Sequence, residues 1–153
     1  MTKSNSKATG LAHSILHLLH RAGQQAEVVF MSELDGDDLT PRQYAVLLTV
    51  DQNEDISQTG LVEATGIDRS TLADVVRRLV TKGLLQRKRT RQDARMYAVR
   101  LTAKGRDALQ ATRPAAVRAD ERVLSGLSVR QRQEFIATLA DVVRSMDDLA
   151  EAA

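Results

Sequence analysis

Residues 66–101 read GIDRSTLADVVRRLVTKGLLQRKRTRQDARMYAVRL, and their pattern decides the fold. Leu72, Val75, Val76, Leu79 and Val80 recur at i, i+3, i+4, i+7 and i+8, the single apolar stripe of an amphipathic helix. Ser70, Asp74, Arg77, Arg78 and Thr81 are left on the opposite side. Asp68 stands where an N-cap is expected, and Gly83 where the helix should close. Beyond it, 84–89 and 95–101 predict two strands, the second alternating Tyr97, Val99 and Leu101 on one face, with TRQDA as the hairpin tip. Arg87, Lys88, Arg89, Arg91 and Arg95 crowd this hairpin with Asp93 as the only acid. Like charges so close repel, so a counter-charge is expected from outside the chain.

The charge is sorted by segment. Between residues 68 and 106, twelve cations face three acids, a net of +9, so a chain of formal charge +2 carries −7 elsewhere. One basic face of this kind suits a polyanion. With 153 residues, 42% of them hydrophobic, one globular unit with a single core is expected. The absence of cysteine excludes disulfides, thiolate-bound zinc, thiol redox sensing and cysteine nucleophiles. The opening MTKSNSKATG is polar and lacks a signal peptide's apolar core; it is read as a flexible tail over 1–10. No stretch approaches the roughly 20 apolar residues of a membrane span, so a cytoplasmic protein without membrane contact is expected.

Upstream, Leu11, Ile15, Leu18, Leu19, Ala22, Ala26, Val29 and Phe30 repeat at helical spacing and predict one long helix. The turn DGDDLTP follows, with Thr40 able to cap and Pro41 suited to a first helical position. A helix over 41–50, buried through Tyr44, Leu47 and Leu48, comes next. Ser57 caps a short helix that Gly66 ends in a left-handed conformation. Downstream, Thr102 caps a fifth helix in which Pro114 should force a kink or a break. Ser128 and Gln131 have capping-box spacing for a last helix, striped by Phe135, Ile136, Leu139, Val142, Val143, Met146 and Leu149. A small core cannot cover both terminal stripes, so a second copy of the chain is expected to do so.

Two short helices about a glycine turn, the second exposing hydroxyls and arginines, make a helix-turn-helix. Ser70, Thr71, Asp74 and Arg77 are placed nearest the bases, with Arg69 and Arg78 nearer phosphates. The hairpin would act as a wing, with Arg95 at its tip in the minor groove, oriented by Asp93, and Arg87, Lys88, Arg89 and Arg91 along the backbone. Phosphate is then the missing counter-charge.

Across LTPRQYAVL, GIDRSTLADVVRRLVTKGLLQRKR, the D-x-R of Asp93 to Arg95 and LTAKG at 101–105, the chain resembles the MarR family of winged helix-turn-helix regulators. The resemblance implies a homodimer, a recognition helix beginning near Asp68, a wing arginine at Arg95, and repression relieved by a small ligand. The run HLLHRAGQQA at 17–26 looks like members that control catabolism of aromatic acids, some answering to the acyl-CoA thioester. Such an effector would lie between the dimerisation helices and the DNA-binding lobe. His17, Arg21 and Arg42 are the expected polar and cationic partners, and Phe30, Tyr44 and Leu47 the expected lining, although each of the three also fits ordinary core.

His13, His17 and His20 fall at i, i+4 and i+7 of the first predicted helix. Positions seven apart lie about 10.5 Å apart along a helix axis, so the three cannot share one ion. No acid or cysteine cluster completes a metal shell, and a pocket or interface role is expected instead. No nucleophile with a partnered base and no phosphate-cradling glycine loop is present, so neither an enzyme nor a cofactor is expected. The expected fold is mainly α with a small β-hairpin wing: a tail at 1–10, dimerisation helices at 11–34 and 103–153, and a winged helix-turn-helix lobe at 40–102. The expected function is a dimeric transcriptional repressor with double-stranded DNA and a small-molecule effector as partners. Two alternatives use the same elements: an architectural DNA binder without sequence preference, and a winged helix that binds another protein.

Overall fold

A computed structural model describes residues 10–36, 39–89 and 97–153. The expected tail therefore falls outside the described residues except for its last position, as does the hairpin tip with Arg91, Asp93 and Arg95. The first apolar run is not one helix. Leu11–His13 form a 3-10 turn, and Ser14, in an extended conformation, caps α1 (Ile15–Ser32) by accepting from His17 N at 3.4 Å. Serine competes for the backbone in this way wherever a helix can begin. The break takes His13 off the helix that carries His17 and His20, so the three histidines do not share one helix. Among the described residues no group of three metal-ligating side chains is present.

Thr40 starts α2 (Pro41–Gln52) with a full capping box: Thr40 Oγ1 accepts from Gln43 N at 3.2 Å, and Gln43 Oε1 accepts from Thr40 N at 3.1 Å. The helix is buried through Gln43, Val46, Leu47 and Val50, whereas Tyr44 and Leu48 are only half-buried. Ile56–Ser57 form a short strand, β1, absent from the sequence reading. Ser57 then caps α3 (Gln58–Thr65), and Gly66 ends it at φ 68°, a left-handed backbone that glycine adopts without steric cost.

Asp68 caps α4 (Arg69–Thr81), whose buried residues are Leu72, Val75, Val76 and Leu79. Its C-terminus closes with two bonds of a Schellman motif around Gly83 at φ 75°, where Gly83 N donates to Val80 O and Leu84 N to Leu79 O, both at 2.9 Å. Leu84 belongs to this turn, so β2 runs Leu85–Arg89 and pairs antiparallel with β3 (Tyr97–Leu101). The sheet order is β1-β3-β2, which makes β3 the central strand and buries both Ala98 and Val99. Tyr97 shares its face with Val99 and Leu101, but at the first position of β3 it is exposed, with the Arg89 guanidinium 5.8 Å from its ring centroid.

Thr102 caps α5 (Ala103–Val123), which runs through Pro114 without a break. Packing explains the continuity. Leu109 and Thr112 before the proline, and Ala115, Ala116 and Ala119 after it, are all buried. Ion pairs add to this: Glu33 receives Arg118 at 2.9 Å and Arg122 at 2.6 Å, and Asp51 receives Arg113 at 3.0 Å. Ser128 caps α6 (Val129–Ala152) with the expected capping box. None of its residues is buried, and Phe135, Ile136, Val142, Val143, Met146 and Leu149 stand exposed.

The main core gathers Val46, Leu47, Leu61, Leu72, Val76, Leu79, Val99 and Leu109, drawn from α2, α3, α4, β3 and α5. A second cluster joins Phe30 of α1 to Ala116 and Ala119 of α5. No described helix is long and apolar enough to cross a membrane.

Candidate nucleic-acid interface

The outer face of α4 is set by its buried one. With Leu72, Val75, Val76 and Leu79 packed inward, Arg69, Ser70, Ala73, Arg77, Arg78 and Thr81 are exposed, and Thr71 and Asp74 are half-buried at the edge. The first turn is rigidly organised. Asp68 Oδ1 accepts from Thr71 N at 2.9 Å and from Ser70 Oγ at 2.8 Å. Hydrogen bonds from Thr71, side chain first and then amide, with the Ser70 hydroxyl adding to them, hold the Asp68 carboxyl down to about 2. The Ser70 hydroxyl is thereby oriented, with its oxygen lone pairs facing solvent.

Asp74 shares this face with Arg77 and Arg78 and pairs with both. Its carboxylate pairs with Arg77 one turn on, and its other oxygen lies 2.8 Å from Arg78 Nε. Those two guanidinium groups, Arg77 foremost, keep its pKa below the ordinary carboxylate range. The acid therefore acts as a fork that spreads two arginines over the surface, each still presenting unpaired N–H groups outward. Beside α4, β2 adds Arg87, Lys88 and Arg89, all exposed.

Behind Arg77 and Arg78 a cleft of about 400 Å³ opens between the start of α2 and the end of α4, lined by Thr40, Gln43, Arg77, Arg78, Thr81 and Lys82. Thr40, Gln43 and Lys82 are functional candidates that the sequence reading missed. The T-x-x-Q spacing of Thr40 and Gln43 marks them as a cap, but only the fold carries that cap to the arginines of α4.

The effector candidates are dispersed. His17 is half-buried and Arg21 exposed on α1, while Arg42 is exposed on α2. Phe30 and Tyr44 meet with ring centroids 5.7 Å apart and planes tilted by 47°. Leu47 is fully enclosed in the main core, so its expected place in a pocket lining gives way to packing.

The MarR family profile matches residues 37–96, a stretch that takes in α2, β1, α3, α4 and β2. The transcriptional regulator HosA of Escherichia coli O157:H7 is 33% identical over 126 residues, covering 82% of this chain and 92% of HosA. The chain belongs to the MarR family. Among solved structures, the repressor CouR bound to a 23-mer DNA duplex is similar at TM-score 0.80 and 29% identity, over 92% of this chain and 99% of that one. Bordetella bronchiseptica BpsR, whose DNA binding is regulated by 6-hydroxynicotinic acid, is similar at TM-score 0.78 and 29% identity, over 84% and 98%. This member is thus a MarR-family transcriptional regulator, and its relatives are regulators rather than enzymes.

Proposed function

We propose that the chain is a ligand-responsive repressor that binds a pseudo-palindromic operator as a homodimer and is released by a small aromatic acid or its CoA thioester. The outer face of α4 carries this reading. It holds two hydroxyls beside the Asp68 cap and a forked arginine pair further along, on a rigid helix of the width the major groove admits. Ser70, Thr71, Asp74 and Arg77 reach toward base edges; Arg69 and Arg78, with Lys88 and Arg89 of β2, meet phosphates. Arg91 and Arg95 of the hairpin continue that contact.

The exposed stripes of α1 and α6 support the homodimer. Ile15 and Leu16 at one end, and Ile136, Val143 and Leu149 at the other, are each at least 47% exposed in the single chain. A second copy covering them by a two-fold axis would set two α4 helices roughly 34 Å apart, one turn of duplex. The aromatic-acid class rests on similarity to BpsR, and His17, Arg21, Arg42, Phe30 and Tyr44 are its proposed neighbours.

Binding of the purified chain to duplex from its own upstream region, against random duplex, at physiological salt and with a panel of aromatic acids and their CoA thioesters, tests this reading. Strong preference for the upstream duplex, abolished by one compound, is the expected result. Equal affinity for both duplexes, indifferent to every compound, would establish an architectural DNA binder instead.

A further inference from the structure

We propose that the cleft between the start of α2 and the end of α4 seats a phosphate of the DNA backbone, with Lys82 and Gln43 as its ligands. The inference rests on the DNA-binding reading and adds a site to it. Three cations, Arg77, Arg78 and Lys82, line the cleft, and Asp74 neutralises one of those charges. Among the described residues no acid pairs with Lys82, whose own carbonyl accepts from Lys104 Nζ at 2.9 Å.

Gln43 is the deciding side chain. It is only 7% exposed, yet it lines the cleft. Its Oε1 is committed to Thr40 N at 3.1 Å, which fixes the amide orientation and leaves Nε2, a two-proton donor, without an acceptor among the described residues. Gln43 Nε2 is not among the buried side-chain atoms that lack a partner, so it is reachable from the cleft and free to donate there. Thr40 adds to the donor set, because its oxygen accepts from Gln43 N and its hydroxyl proton remains free to donate. The cleft thus presents hydrogen-bond donors and a net positive charge, which suits an oxyanion.

Position says which oxyanion. Along the axis Lys82, at the C-cap of α4, lies about 20 Å beyond Arg69, at about 1.5 Å per residue. The major groove is about 12 Å wide, so a helix that meets base edges from its first turn through Arg77 brings its C-terminal end at Lys82 to the backbone at the groove's edge. A phosphate there contributes affinity and register but no sequence information.

The test uses fluorescence anisotropy of the full chain on upstream and random duplexes across a KCl series, with Lys82→Ala and Gln43→Glu. Glutamate keeps the oxygen that accepts from Thr40 N, so the capping box is retained while a carboxylate faces the phosphate, and the thermal midpoint of each variant is measured beside its affinity. Both variants are expected to weaken both duplexes by the same factor, about three- to tenfold at physiological salt, and Lys82→Ala to reduce the salt slope by about 1. Parental affinity and slope in both variants, with Arg69→Ala still weakening binding, would remove the cleft and leave the DNA-binding reading standing. Loss on the upstream duplex alone would assign these residues to base contact and overturn the phosphate site. A parent chain that binds neither duplex would overturn both readings.

Discussion

At the residue scale the strongest constraint is a contact rather than a charge. A Cβ on Gly105 would lie 1.9 Å from Leu84 O, a backbone atom that also accepts from Thr102 N at 3.1 Å. Neither can move without parting β2 from the start of α5. Gly105→Ala should therefore destabilise the fold by about 2–4 kcal/mol, read as the urea midpoint; a cost under about 0.5 kcal/mol would show that this junction yields. The glycine of LTAKG was visible in the sequence as part of a family motif, but the carbonyl it makes room for comes from 21 positions upstream, a distance that local pattern cannot report. Asp68 gives the second residue-scale prediction. Its pKa is lowered from 3.8 to about 2 in the folded chain, so its contribution to stability is fully present above about pH 4 and is lost as pH falls toward 2. Asparagine caps a helix as well as aspartate but does not titrate. Across that window Asp68→Asn should lose less of its thermal midpoint than the parent does; parallel curves would contradict the assignment.

At the scale of elements, caps were the most legible feature. Ser57, Asp68, Thr102 and Ser128 each accept from the backbone three residues on, because a cap is decided within one turn. What depends on distant partners was not legible. The two-residue strand β1 exists because β3 lies beside it, with Ile56 opposite Val99 and Ser57 opposite Ala98. The long first helix broke at Ser14, where a serine inside an apolar pattern gave no notice that it would cap rather than continue. Pro114 misled in the opposite sense: the local rule calls for interruption, but buried side chains on both flanks hold α5 continuous. The proline still leaves Gln110 O without its helical donor and is itself exposed. Pro114→Ala should raise stability by about 1–3 kcal/mol, several degrees in thermal midpoint for a chain of this size. A lower midpoint would mean that a bend at the proline is needed for α5 to pack against α1 and α2.

At the scale of the whole molecule, two kinds of surface are sorted to different segments, one in the middle of the chain and the other toward both ends. The basic residues concentrate between 68 and 106, on α4, the hairpin and the start of α5, while the exposed apolar stripes lie on α1 and α6. Glu33 ties α1 to α5, because Arg118 and Arg122 of α5 grip it at the close of α1; their hydrogen bonds, Arg122 foremost, hold its pKa below the ordinary glutamate value. Whatever moves α1 must then act on α5 and, through Arg113 and Asp51, on α2. This is a contiguous route by which an effector near α1 could bias the spacing of two α4 helices, to an extent limited by its preference for one arrangement. The dimer is the premise of that mechanism and of a pseudo-palindromic operator. Sedimentation equilibrium of the full chain, alone and with an upstream duplex, tests it most directly. Twice the 16.8 kDa chain mass in the free protein, and two chains per duplex in the complex, are expected, with both lost in an Ile136→Asp, Val143→Asp variant that keeps its helical content. A free monomer that loads one chain per duplex with undiminished affinity would contradict the account.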